Sequence, residues 1–156
     1  MVALDEMRRV AGQINSGFVV LIDYGYTREE LLAGRASDTV RAFQRHNVSA
    51  GVYDASGEQD LTAHVNFTAL RAAGLECGLS TCPLLTQSQF LMGIGATNEF
   101  ADAFTEGQSP QERAKVSLQL KHLVTPAGMG EFFRVLLMSR GVDENRVREL
   151  SGMRFG

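Results

Sequence analysis

Residues 17–25 read GFVVLIDYG, and within them Phe18-Val19-Val20-Leu21-Ile22 is apolar at every position and rich in β-branched side chains. A strand without polar alternate positions is covered on both faces, the pattern of a central strand in a parallel sheet packed between helices. The run stops at Asp23-Tyr24-Gly25-Tyr26. Open α/β sheets bind ligands in the crevice outside the carboxyl ends of their strands, so this polar end is the first functional pointer in the chain.

Working outward, residues 3–14 place Leu4, Met7, Val10, Ala11 and Ile14 at spacings of three and four, which predicts a short amphipathic helix. Gly17 suits the left-handed turn after it. Downstream, Thr27-Arg28-Glu29-Glu30 is a capping box that opens a helix cut short by Gly34. Residues 38–43 alternate as a strand, and residues 44–59 form a polar loop long enough to suggest function or mobility. Asp60-Leu61-Thr62-Ala63-His64-Val65 leads to Asn66, an N-cap for a helix over 67–73 that Gly74 closes. Residues 75–81 follow as a second strand, which Pro83 ends. Helical patterns begin at Thr86, around residues 98–105, and at Pro110, the last running to residue 123. Residues 132–138 are a further strand, apolar on both faces, and the tail from Ser139 is polar and frayed. Alternating elements of this kind predict an α/β fold.

The chain has 156 residues, 44% of them hydrophobic, which suits one domain. A net charge of −3 with interspersed signs gives no basic patch for nucleic acid. Cys77 and Cys82, with the scattered His46, His64 and His122, supply neither a disulfide framework nor zinc-ligand spacing. Both cysteines read as ordinary thiols in a reducing compartment. No apolar run reaches the roughly 20 residues that span a membrane, so a soluble, cytoplasmic protein is expected.

Four peptides, GFVVLIDYG at 17–25, DLTAHVNFTAL at 60–70, TQSQFL at 86–91 and LVTPAGMGE at 123–131, resemble the C-terminal half of the DUF185 methyltransferases. That family includes the mitochondrial complex I assembly methyltransferase and its bacterial relatives. The resemblance implies a Rossmann-like class I methyltransferase that uses S-adenosylmethionine, and its mitochondrial member is taken to methylate an arginine of a complex I subunit. By the same resemblance, the strand ending at Asp23 is the fifth of seven, residues 75–81 the sixth, and residues 132–138 an antiparallel seventh lying between them. Three adjacent strands of a mixed sheet are thus expected in a single partial domain over 1–156. Its strand–helix–strand portion is 17–81, its helical insertion 86–123 and its final antiparallel strand 131–138.

Cofactor binding in the family rests on a Gly-rich turn after the first strand and an acidic residue after the second, both expected before Met1. Glycines there let the backbone approach the cofactor, and a carboxylate accepts from ribose hydroxyls. Gly93-Ile94-Gly95 is a GxG, but it follows a helical pattern and lacks the strand that such a turn requires. S-adenosylmethionine is therefore expected for the full-length family and not for this chain alone. Two departures stand out. Asn66 replaces the family's Asp, keeping the N-cap and removing a charge, and Ala36-Ser37-Asp38-Thr39 replaces a more usual Gly-Thr or Asp-Thr lead.

Asp23 and Tyr24 are the first candidate site residues: a carboxylate at a strand end either orients a guanidinium by paired hydrogen bonds or caps nearby amides. His46 and His64 offer imidazoles able to take a proton near neutrality, though methyl transfer needs geometry more than a base. Asp60 and Thr62 are candidates beside His64, with local backbone bonding as the plainer role. Gln87 and Glu131 read as structural, and Met129, Phe132 and Phe133 as core. Two functions compete. The chain supplies the substrate-side wall of a methyltransferase acting on a protein, or it is a non-catalytic remnant or assembly module. An unpaired strand beside residues 18–22 would predict a homodimer or association with the missing N-terminal half.

Overall fold

The computed structural model describes residues 2–34, 39–44, 47, 48, 51, 53 and 57–156. Helix α1 (Val2–Gln13) buries Met7 and Ala11, one turn apart on its inner face. Strand β1 (Gly17–Tyr26) follows, then α2 (Arg28–Leu32), whose N-cap Thr27 and third residue Glu30 make the capping box that their spacing predicts. Strands β2 (Val40–Gln44), β3 (Asn47–Val48) and β4 (Asp60–Ala63) form a small antiparallel sheet in the order β3-β2-β4. Residue 38, at the head of the expected second strand, lies outside the described residues, as does half of the expected polar loop. β3 occupies part of that loop.

Strand β5 (Val65–Asn66) leads into α3 (Phe67–Glu76), where the Asn66 side chain accepts from the Ala69 N–H at 3.0 Å. Asn and Asp cap equally well, whereas Ala at an N-cap costs about 1 kcal/mol. Urea unfolding of Asn66→Ala should therefore show a loss of about 1 kcal/mol, and Asn66→Asp a change within about 0.5 kcal/mol. An equal loss for Asp would mean that the missing charge, and not the cap, sets this position.

Gly74 does not close α3, which runs two residues further. Its missing Cβ makes room for Met138, whose Cε would stand 2.5 Å from one. Gly78, at φ +80°, supplies the left-handed turn instead. The expected strand over 75–81 accordingly shrinks to β6 (Ser80–Thr81), because Leu75 and Glu76 complete the helix. Strand β7 (Leu85–Thr86) and helix α4 (Gln87–Gly95) come next, with a second capping box between Thr86 and Gln89. The helix expected around 98–105 is only a single 3-10 turn at Ala101–Ala103. Glu99 and Phe100 take positive φ (52° and 62°), which a continuous right-handed helix excludes. Helix α5 (Pro110–Val124) starts where Ser109 and Pro110 predict it, yet buries none of its residues.

Strand β8 (Phe133–Arg140) carries Ser139 and Arg140 in register, so the tail is not frayed from residue 139. Ser139 is buried, and Arg140 donates to the carbonyls of Ala11, Ile14 and Cys77, tying β8 to the ends of α1 and α3. Helix α6 (Glu144–Arg148), capped by Asp143, and a 3-10 turn at Ser151–Met153 complete the chain.

The main sheet runs β5-β1-β8-β6, with β7 also paired to β8. β8 is antiparallel to β1, from Gly17 opposite Arg140 to Tyr24 opposite Phe133, and antiparallel to β6. This is the mixed α/β sheet expected, with the last strand between the two others. Its core lies on one face, where Val19, Leu136 and Met138 meet Met7, Ala11, Phe67, Leu70, Ala73 and Leu79 from α1, α3 and the turn after α3.

The expectation that residues 18–22 are covered on both faces is overturned. Val19 is buried, but Phe18, Val20 and Ile22 are 41%, 44% and 47% exposed. The α1–α3 layer covers one side of β1 only. On the other side α4 packs on β7, β8 and the turn at Ser151–Met153, leaving β1 bare.

Candidate functional site at the carboxyl end of β1

Two groups of side chains meet where β1 ends. In the first, Asp23 lies directly across from Arg134 of β8, and its Oδ1 accepts from the Tyr24 N–H at 2.7 Å. Arg134 Nη2 donates to Glu30 Oε1 at 2.7 Å, both side chains being about four-fifths withdrawn from solvent. The other Glu30 oxygen accepts from the Thr27 N–H at 2.9 Å. One carboxylate thereby caps α2 and holds the guanidinium of β8, and a pair this withdrawn leaves a costly lone charge if either partner is removed. Tyr24 packs its ring on Phe133 at 4.1 Å between centroids, with Phe132 at 6.3 Å. Phe132 is exposed and not part of the core, contrary to its apolar context; Phe133 is half-buried. Beside this cluster, Glu29 has its carboxyl held below the usual range by hydrogen bonds from its own N–H and from Thr27.

In the second group, Tyr26 meets His64 edge-on, at 5.1 Å and 78° between the rings. The His64 N–H donates to the Thr39 carbonyl at 2.7 Å, while its Nδ1 is buried without a partner among the described residues. Gly25 brings the two groups together. β5 runs parallel to β1 at Gly25 and Tyr26, and a Cβ on residue 25 would stand 2.1 Å from the Val65 carbonyl oxygen. The glycine admits β5, and β5 carries His64 to the strand end.

Asp60 and Thr62 sit on exposed β4, opposite Phe43 and Arg41, in the small sheet. No side-chain hydrogen bond joins them to Asp23, Tyr24 or His64 among the described residues. His46 lies outside the described residues. Gln87 is structural, its Nε2 donating to the Leu123 carbonyl at 2.8 Å. Arg134, Glu30 and Tyr26 are the site residues that sequence reasoning did not single out. A lone arginine inside the apolar stretch 132–138 was the available signal for the first.

Neither of the other chemical features converges here. Cys77 and Cys82 are free, and burial pushes the Cys82 thiol up. A cavity of about 540 Å³, lined by Thr81, Cys82, Ser139, Val147 and Met153 among others, opens at the opposite end of β8. Among the described residues no group of three or more His, Cys, Asp or Glu is placed to hold a metal ion, and no helix is long and apolar enough to cross a membrane.

Gly93-Ile94-Gly95 does not form a cofactor turn. Gly93 and Gly95 lie within α4, where a Cβ would meet the Ser151 carbonyl at 2.3 Å and the Phe100 ring at 2.4 Å. They are helix-packing positions, and their N–H groups are committed to a helix interior and not to a turn that opens one.

Residues 1–84, more than half of the chain, match the model of a family described as "Putative S-adenosyl-L-methionine-dependent methyltransferase", and the chain belongs to that family. Two solved structures from Burkholderia thailandensis share its fold at 30% identity over 90% of this chain. One is an uncharacterized protein of the COG1565 superfamily (TM-score 0.78), and the other a superfamily member described as a "likely methyl transferase" bound to S-adenosyl-homocysteine (TM-score 0.76). The chain spans 37% and 36% of the length of those two proteins. No curated protein matches it.

Proposed function

We propose that this chain forms the acceptor-side wall of an S-adenosylmethionine-dependent methyltransferase that modifies a nitrogen nucleophile of a protein, an arginine side chain being the favoured acceptor. The observation that carries the reading is Asp23, a carboxylate at the carboxyl end of β1 whose Oδ2 takes no hydrogen bond among the described residues, flanked by the Tyr24–Phe133 aromatic pair. A guanidinium is planar and cationic: it hydrogen-bonds a carboxylate and stacks on aromatic faces, and this corner offers both. Arg134, held by Glu30, sets the orientation of that corner. His64 stands one strand away, its Nδ1 buried and without a partner among the described residues, and in this reading it packs beside the site and does not touch the acceptor. Asp60 and Thr62 belong to this reading only as the exposed approach to the site.

The second reading, a protein-binding or assembly module without catalysis, is favoured by Gly93 and Gly95 being used for helix packing. Calorimetric titration with S-adenosylhomocysteine separates the two. The chain by itself should give no heat of binding, and the chain together with a cofactor-binding portion should bind. Micromolar binding by the chain alone would overturn the assignment of its glycines. No binding in the presence of the complementary portion would favour the assembly reading.

A further inference from the structure

The cavity of about 540 Å³ at the far end of β8 takes its walls from β6 and the turn after it, from Ser139, and from α6 and the 3-10 turn that follows. Among the described residues, none of β1 lines it, so it stands apart from the corner at Asp23 and Tyr24. Its volume lies in the range of small-molecule sites, about 300–1,000 Å³.

Alternation along β8 decides what faces the cavity. Leu136 and Met138 point into the core against α1 and α3, so Ser139 turns its side chain to the opposite face, where the cavity lies. Ser139 is 4% exposed, and its hydroxyl has no hydrogen-bond partner among the described residues. A buried hydroxyl needs a partner, and here the cavity is open to supply one. The Thr81 hydroxyl, by contrast, donates to the Cys82 carbonyl at 3.2 Å. Pro83, Val147 and Met153 make an apolar belt with the Cys82 thiol, which burial keeps protonated.

Helix α6 shapes the mouth. Glu144, Val147 and Arg148 share one of its faces at spacings of three and four, with Val147 buried and the two charges beside it. Arg148 Nη2 stands 3.5 Å from Glu144 Oε2, and the two side chains are 78% and 79% exposed. A pair this long and wet holds weakly, so each partner is free to turn to a ligand. A lone anion would meet the guanidinium and be repelled by the carboxylate, and a lone cation the reverse. A zwitterion satisfies both.

We infer that this cavity binds a free α-amino acid with a large side chain. Its carboxylate lies on Arg148, its ammonium on Glu144, its apolar body against Pro83, Val147 and Met153, and a terminal hydroxyl on Ser139. The assignment goes beyond the methyltransferase reading and does not depend on it, because every group it uses lies downstream of α3.

Tyrosine has all four features and is the probe. Cys82 reports occupancy through its rate of alkylation by iodoacetamide, followed peptide by peptide in the mass spectrometer. Cys77, a free thiol outside the lining, is the reference. Tyrosine should slow Cys82 by at least about tenfold at saturation, with half the effect below about 1 mM, and leave Cys77 unchanged. Phenylalanine lacks the hydroxyl, tyramine the carboxylate and 4-hydroxyphenylpropionate the ammonium; each should need at least about tenfold more ligand. Ser139→Ala should erase the preference for tyrosine over phenylalanine and keep that over tyramine. Arg148→Gln, at an exposed position, should do the reverse. Circular dichroism verifies both folds; should Ser139→Ala unfold, Arg148→Gln decides alone from the comparison of tyrosine with tyramine. Equal protection by all four compounds would make the cavity a general apolar hole and overturn the inference. So would no protection by tyrosine, or protection of Cys77 and Cys82 together, which marks a tightening of the whole chain and not an occupied cavity.

Discussion

Gly25→Ala should lower the stability of the chain by about 3 kcal/mol, read as a fall in the urea midpoint at unchanged slope. A Cβ at this position would stand 2.1 Å from the Val65 carbonyl oxygen and 2.9 Å from Cε2 of Phe67. Neither neighbour can withdraw. Val65 is paired to Gly25 itself, and Phe67 is buried at the first turn of α3. The clash therefore breaks the β1–β5 pairing or displaces α3, and either loosens the strand end that holds Tyr26 beside His64. Gly12→Ala is the matched control, since nothing lies within 4 Å of a Cβ there and its backbone is helical. It should raise stability by about 0.5–1 kcal/mol. Equal midpoints for the two variants would show that the close approach of β5 to β1 does not exist.

Phe67→Ala should cost about 3–5 kcal/mol, the range for removing a buried aromatic ring. Phe67 is among the largest fully buried side chains and belongs to the core of α1, α3, β1 and β8. Its position couples it to the first prediction. The ring is one of the two groups a Cβ at residue 25 would strike, so removing it relieves part of that clash. The double variant should lose less than the sum of the two single losses, by a margin of order 1 kcal/mol. Strict additivity would place the whole Gly25 effect on the Val65 carbonyl. A loss below about 1 kcal/mol for Phe67→Ala alone would mean the ring is not in the core.

Local chemistry made much of the fold readable. Thr27 and Asn66 each cap the helix that their own side chain predicts, and Thr86 and Ser109 cap the helices whose starts are legible at Thr86 and Pro110, because capping depends on residues at most three positions apart. The apolar strands at 18–22 and 132–138 were legible by composition, and the resemblance supplied their order. What failed was tertiary. Gly74 reads as a helix stop until Met138 is seen packed on it, and residue 138 lies in another element. Ser139 and Arg140 read as a polar tail, but their roles depend on strand pairing and on the carbonyls of Ala11, Ile14 and Cys77. An apolar pentapeptide cannot report which layer covers it, so the bare face of β1 was invisible.

The site was legible in part for the same reason. Asp23 and Tyr24 mark themselves by ending an apolar run. Arg134 joins them only through the register of β8, and Glu30 looked occupied by its cap alone. Tyr26 acquires its interest from His64, which the tight passage at Gly25 brings against it.

Arg140 also sets a constraint in time. The carbonyls it grips at Ala11 and Ile14 lie 129 and 126 positions earlier, and the β1–β8 pairing spans a comparable stretch of chain. During synthesis the apolar segment at 17–22 therefore emerges long before the strand that will hold it. At about 5–20 residues per second, that leaves it unpaired for many seconds. Closing so long a loop before any contact repays it also makes folding slow. The segment most exposed to wrong pairing in the finished protein is thus the one with the longest wait on the ribosome.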